Sequence, residues 1–330
     1  MQSFLDQLTK YNQCIAQTGI EMYHRFIRGM MGNTPNPLIF TGTGLAFTEE
    51  EYLVQCQVKR VELHILTFHF LKMWAAYIFQ DYDLALKCTK VFWKRPANAD
   101  GSAAWAPLVW FFTAMTYLES QRQAHGSVAR RHWRRRGLKT IKLLERWVEV
   151  DKVLNCQHKL LIIYAEKDRV AGKKSVDEIK AAYDLAISAC TRSGFLQDNA
   201  LANERAANFA MEHLDEDWAE HYQKRSFDLY VQWNATAKVE QMKNTFRYLS
   251  DRSMHAGSSR SFRGRQRFSA TITDFHFAGL DSILSLFEVE DEDEGLKPED
   301  SGLSFSVEDT RLRERPHLPL NSPPLCPTIV

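Results

Sequence analysis

The chain lacks most of what would tie it to a metal, a bilayer or a nucleotide. Its six cysteines (Cys14, Cys56, Cys88, Cys156, Cys190 and Cys326) form no C-x-x-C pair and have no histidine set nearby to complete a zinc site, so they read as reduced thiols. Neither sign of charge is in excess. With 42 Lys and Arg against 41 Asp and Glu, no global field draws the chain to nucleic acid or to an acidic membrane surface, and an electrostatic partner has to be met by a local patch. The most apolar stretch is interrupted by His64, His69 and Lys72, and the N-terminus lacks the basic-then-apolar order of a secretory leader. No membrane attachment is expected, and the cytoplasm is the expected compartment.

The parts of the common catalytic machines are also missing. Gly172-Lys173-Lys174-Ser175 imitates the end of a phosphate-binding loop, but Lys167 stands where the first glycine belongs and the flanking pattern is helical, which predicts a helix-connecting turn. Thr41-Gly42-Thr43-Gly44 lacks the third glycine of a dinucleotide loop. No strand lysine, catalytic-loop aspartate or D-F-G triplet supplies kinase chemistry, and no G-x-S-x-G elbow presents a serine nucleophile. His158 lacks the acidic neighbour and downstream proline of a phospho-acceptor helix and reads as a helix-start residue. His64 with His69, and His213 with His221, are not at the one-face i, i+4 separation of a helical zinc pair. The expectation is a protein that is not an enzyme and needs no cofactor.

What is present is helical periodicity. Apolar residues from Phe4 to Ile27 are spaced for amphipathic helices, and the turn-rich run Gly32 to Gly44 closes that unit. Thr48 with Glu51 has the form of a capping box opening a long helix from Tyr52 to Phe79, which breaks at Gln80-Asp81-Tyr82. Further helices are predicted over about 104–120, 127–148, 155–171, 176–193, 197–213, 216–233 and 235–249, and no segment shows the alternation of a strand. The fold class is all-α: stacked antiparallel helix pairs of the α-solenoid kind over 1–249, joined by short turns. Residues 250–330 change to a Ser/Arg-rich stretch, an acidic run Glu288 to Glu294 and a proline-rich end, a composition expected to be disordered.

Two segments repeat one design. In the first, Ala165 and Ala171 are expected to pack against Ala181, Ala182, Ala186 and Ala189, with Ser175 and Glu178 as a second capping box. In the second, about 40 residues on, Ala202, Ala206, Phe209, Ala219, Tyr222, Tyr230 and Trp233 repeat the scheme. The densest charge feature is Arg130, Arg131, Arg134, Arg135, Arg136, Lys139 and Lys142. Trp133, Leu138, Ile141, Leu144 and Trp147 on the same segment are expected to face the core, leaving the cations as a solvated face that is also a candidate anion or partner patch. Trp105, Trp110, Tyr117 and Trp218 are candidate aromatic anchors. In the tail, Arg265-Gln266-Arg267-Phe268-Ser269 has the form of a basophilic kinase site with Ser269 as acceptor, and Thr328-Ile329-Val330 that of a PDZ-binding terminus.

The phrases Ala181-Ala182-Tyr183-Asp184-Leu185-Ala186-Ile187, Gly194-Phe195, Ala200-Leu201-Ala202-Asn203-Glu204-Arg205-Ala206-Ala207 and Tyr230-x-x-Trp233-Asn234-Ala235-x-Ala237-Lys238-Val239 resemble the TPR-like helical region of large predicted ATPases. So do Phe79-x-Asp81-Tyr82-x-x-Ala85 and Asn155-Cys156-x-His158-Lys159. In that family this region follows a P-loop ATPase module, often with serine/threonine-kinase and histidine-kinase modules in the same polypeptide. The chain departs from the pattern in carrying Asn234 where glycine is usual, a helix-end position that calls for a left-handed residue, and in carrying none of the catalytic modules. The resemblance implies a TPR-like scaffold for protein partners in signalling. The alternatives are a fragment of an ATP-dependent kinase or ATPase whose catalytic modules lie outside this sequence, and nucleic-acid binding through the basic segment 130–142, which the neutral overall charge makes the less favoured reading.

Overall fold

A computed structural model describes residues 14–40, 48–93, 106–149, 153–246 and 249. Among these the chain is all-helical: α1 (Cys14–Met30), α2 (Glu49–Val58), α3 (Glu62–Ile78), α4 (Tyr82–Trp93), α5 (Ala106–Gln123), α6 (Ser127–Glu149), α7 (Gln157–Ala171), α8 (Val176–Ser193), α9 (Leu196–Glu212), α10 (Glu216–Gln232) and α11 (Thr236–Thr245). A single 3-10 turn, Leu154–Cys156, leads into α7. The helix starts follow from local chemistry. Thr48 and Ser175 both form full capping boxes with the glutamate three residues on, so two otherwise orphaned amides are satisfied at each start. Asp81 and Asp215 cap α4 and α10 by accepting from the amides of Leu84 and Trp218 at 3.0 and 3.2 Å.

The stops are set by single left-handed residues. Gly172 and Gly194 end α7 and α8 at φ 59° and 75°, where a side chain would be strained. The equivalent turns after α2, α3, α9 and α10 use Arg60, Gln80, Leu214 and Asn234 at φ 54°, 65°, 58° and 61°. Asn234 thus occupies the left-handed position its sequence context called for. Arg60 corrects an expectation: the long helix over 52–79 is two helices, because the left-handed Arg60 reverses the chain between α2 and α3 after an ordinary apolar pattern.

Neighbouring helices pack in pairs, most extensively α3 with α4, α5 with α6, α7 with α8 and α9 with α10. From α7 to α11 the first helix of each unit starts at 157, 196 and 236, which is the expected period of about 40. Of the residues expected to pack between helices, Ala165, Ala186, Ala202, Ala206 and Ala219 are buried, as is Tyr222, while Trp233 is half-buried and stacked on Trp74 at 6.3 Å. Ala171 and Ala181 do not join them. Both are exposed, Ala171 because it is the last residue of α7, where the chain turns outward through Gly172, and Ala181 because it lies on the outer side of α8.

The stack returns on itself. The last described helix, α11, packs against α1 as well as α10, and its first turn lies beside Gly32, whose backbone would place a Cβ 3.5 Å from the Ala237 amide nitrogen. The first helices of successive pairs therefore face a common interior rather than an open groove. α9 runs through that interior with every residue from Asp198 to Ala207 buried.

Leu214 is 88 % exposed and gains little from its side chain, yet holds a left-handed backbone. Leu214→Gly is expected to raise the unfolding free energy by about 1 kcal/mol by relieving that strain, read as a higher denaturant midpoint, whereas Leu214→Val lowers it.

Candidate functional site

The interior is closed by charge. Arg205 on α9 donates from Nε and Nη2 to the two oxygens of Glu166 on α7, at 2.7 and 2.9 Å, and from Nη2 to Glu119 on α5 at 2.9 Å. Its remaining nitrogen, Nη1, donates to the Tyr82 hydroxyl at 2.8 Å, and the guanidinium lies 5.9 Å from the centroids of both Tyr77 and Tyr82. Glu119 is held in turn by Arg122, three residues on, and Glu166 by Arg169, three residues on. Arg122 and Arg169 both donate to Glu212 at the end of α9, at 3.0 and 2.5 Å. The result is a ring of alternating charges, Arg205, Glu119, Arg122, Glu212, Arg169 and Glu166, contributed by α5, α7 and α9.

The ring is dry at one side and wet at the other. Arg205, Glu119 and Glu166 are each at most 3 % exposed in their side chains, whereas Arg122 and Glu212 reach the surface. Burial alone pushes the Glu166 carboxyl up, but the adjacent Arg205 and Arg169 cations outweigh it and hold the carboxyl at about 2. Burial and Arg205 act on Glu119 in the same opposed senses, and the balance is again downward. Tyr183 donates to Glu166 at 2.7 Å, and its own ionisation is suppressed by burial.

Two further buried clusters tie the interior to its ends. Lys238 on α11 donates to Glu204 at 2.6 Å and to the carbonyl of Ile78 at 2.7 Å, so an ammonium sits against the carbonyl end of α3, where the helix dipole is negative. Tyr230 and Gln80 complete the shell of Glu204, at 2.8 and 2.6 Å. In the other cluster Asp198 pairs with Lys159 and accepts from His158 at 2.7 Å, and the His158 ring stacks on Phe195 at 4.8 Å. His158 is therefore a buried residue at the start of α7 whose Nε2 is engaged and whose Nδ1 is enclosed without a partner. Burial pushes the thiols of Cys88, Cys156 and Cys190 up to about 12, 11 and 12, which keeps them protonated and slow to react.

On the outside, the candidate patch is where the sequence placed it. Arg130, Arg131, Arg134, Arg135, Arg136, Lys139 and Lys142 are all exposed on α6. Trp133 is half-buried and stacks on Tyr117 at 5.7 Å, with Lys90 of α4 over its ring at 6.0 Å. Ile141, Leu144 and Val148 are buried, but Leu138 is exposed, a correction to its expected core position: it lies one turn from Arg134 and Lys142 on the outward side. Among the aromatic anchors, Trp110 and Tyr117 are buried; Trp218 is 42 % exposed beside a cleft lined by Tyr183, Phe209, His213 and Tyr222, and Lys180 sits 3.6 Å above its ring. The cleft encloses only about 10 Å³, room for roughly one water, far below the roughly 300–1,000 Å³ of typical small-molecule sites. The Gly172 to Ser175 turn connects α7 to α8, with Lys174 paired to Asp168 at 2.7 Å. Trp105, Thr41 to Gly44, Ser269 and Thr328 to Val330 lie outside the described residues.

Sequence reading missed the charge ring, because a glutamate or arginine in a helix is ordinarily a solvated residue. A signal was present. Glu119-x-x-Arg122 and Glu166-x-x-Arg169 are the same pair at the ends of two first helices, and Glu204-Arg205 is embedded among alanines with no polar face to sit on. Comparison of the chain with protein-family models, with curated proteins and with solved structures finds no match. Among the described residues no group of three His, Cys, Asp or Glu side chains is arranged to hold a metal ion, and no helix is long and apolar enough to cross a membrane.

Removing Arg205 leaves two carboxylates buried without their cation, and Arg205→Met is expected to cost about 3–5 kcal/mol in denaturant unfolding. Because Glu166 ionises more readily folded than unfolded, its contribution is full above the ordinary carboxylate value of about 4.3 and is lost as pH falls towards the folded value. The protein should lose stability between about pH 4.5 and 2, and Glu166→Gln should flatten that slope while lowering stability at neutral pH.

Proposed function

We propose that this chain is a non-catalytic helical-repeat scaffold whose binding element is the basic outer face of α6, and that its partner is a protein segment of acidic character. The observation that carries the reading is the contrast between interior and exterior. Inside, the ionisable groups that could act on a substrate face partners of opposite charge in fixed geometry, an arrangement that holds helices together. Outside, from Ser127 to Leu144, α6 carries seven cations and no carboxylate. The resemblance to TPR-like regions of signalling ATPases supports the same reading, since such regions act by presenting helix faces to other polypeptides. The half-buried Trp133 within the patch, like the exposed Trp218 elsewhere, supplies the aromatic component that protein interfaces favour.

The test is affinity capture by the purified chain from a cell extract, beside an Arg130→Glu/Arg131→Glu/Arg134→Glu/Lys142→Glu variant of unchanged circular dichroism. Retained proteins should be lost with the variant and in about 0.5 M salt, where exposed charges more than a few ångströms apart are screened, and should survive nuclease treatment. Retention that disappears with nuclease would assign the face to nucleic acid instead. Nucleotide turnover by the purified chain that is abolished by a point mutation would overturn the non-catalytic reading.

A further inference from the structure

The cations of α6 are placed against the interests of the helix that carries them. Arg130 and Arg131 lie in its first turns, at the positive end of the helix dipole, where no acidic residue offsets them. Arg130 with Arg134 and Arg131 with Arg135 are like charges four residues apart, which repel across one turn. Arg130, Arg131, Arg134 and Lys142 have no carboxylate partner among the described residues. Arg136 turns instead to His132, donating from Nε at 3.2 Å, a contact that supplies no negative charge. Val128, Arg131, Leu138 and Lys142 follow one another at spacings that place them on one outward stripe, and Val128 and Leu138 are 56 % and 38 % exposed. The face is thus basic with aliphatic contacts along it, the complement of an acidic segment that carries apolar residues.

The same chain contains such a segment. Glu288-Val289-Glu290-Asp291-Glu292-Asp293-Glu294 has six carboxylates in seven residues, and Leu286, Phe287 and Val289 supply apolar side chains at its start. Lengths agree: the cations from Arg130 to Lys142 span about 18 Å of helix, and seven extended residues span about 20 Å. Residues 250–287, which join the acidic run to the end of the helical stack, reach up to about 130 Å when fully extended, several times the radius of about 18 Å expected for a folded unit of this size. A tethered segment faces its site at an effective concentration of the order of millimolar, which makes weak individual charge pairs sufficient in sum.

We infer that Glu288–Glu294 docks in cis on the α6 basic face and occupies the surface that an acidic protein partner would use. This rests on the reading of α6 as an acidic-partner face and makes that face autoinhibited. A partner must then displace the segment, and additional negative charge near it tightens the closed form.

The full chain tests this by zero-length carbodiimide cross-linking at low salt, followed by peptide mapping of the monomer. Expected are amide links from Lys139 or Lys142 to carboxylates of 288–294, at a yield independent of protein concentration, lost in about 0.5 M salt. A variant with these six carboxylates replaced by their amides (E288Q/E290Q/D291N/E292Q/D293N/E294Q) should lose the links and bind a labelled peptide of the sequence 286–294 about tenfold more tightly than the unchanged chain. If the peptide binds both chains equally and no link forms within the monomer, occupation in cis is overturned while the acidic-partner reading stands. Links that form only between molecules and rise with concentration overturn it in favour of a second copy. Absence of both links and peptide binding overturns the inference together with the reading it rests on.

Discussion

Three helices from three different pairs meet at one guanidinium. Arg205 satisfies Glu166 with two parallel hydrogen bonds and Glu119 with a third, and the ring closes through Arg122, Glu212 and Arg169. Buried ion pairs are poor sources of net stability, because desolvation cancels much of the attraction, but they are unforgiving of misplacement: a carboxylate shifted away from Arg205 is left charged in a dry interior. The ring therefore fixes which faces of α5, α7 and α9 turn inward and the register in which the pairs stack. Apolar packing alone would tolerate alternatives, since alanine-rich helix faces slide past one another at little cost.

The second consequence is a division of labour between two kinds of charge. Inside, Arg205, Lys159 and Lys238 each have a carboxylate, and Lys238 also adds to the left-handed Gln80 turn that ends α3 by donating to the Ile78 carbonyl from the last described helix. On α6, by contrast, Arg130, Arg131, Arg134 and Lys142 have no carboxylate partner among the described residues, and with their neighbours they place seven cations along about 18 Å of helix. A helix with so many like charges stays folded because Ile141, Leu144 and Val148 anchor its other face in the core and Trp133 stacks on Tyr117. Packing thus holds in place an electrostatic arrangement that the isolated helix would not favour.

Much of the helical layout was legible in the sequence. Thr48, Ser175, Gly172, Gly194 and Asn234 each act through chemistry confined to a few neighbouring residues, so starts and stops could be read locally. Arg60 carried no such mark, and the α2/α3 break went unread, since an arginine is not a residue type that favours the left-handed backbone it adopts. Leu138 shows the limit of periodicity: its spacing from Ile141 fits a core stripe, but it stays 38 % exposed, beyond the edge of the face that α6 packs on α5 and α7. The basic face was visible because exposed charge needs no partner to be recognised. The charge ring was not, because its members come from positions 119 to 212 and their burial is a property of the assembled stack.

The contact between α11 and α1 separates this architecture from the open arrays its repeats suggest. An open array can grow by duplication of one helix pair, because each new unit meets only its neighbours. Here another pair would push α11 away from α1 and from the end of α3, where Lys238 and Gln241 are seated. Among the described residues the stack therefore closes at α11, and lengthening it by a helix pair there would cost the contact that seals its interior.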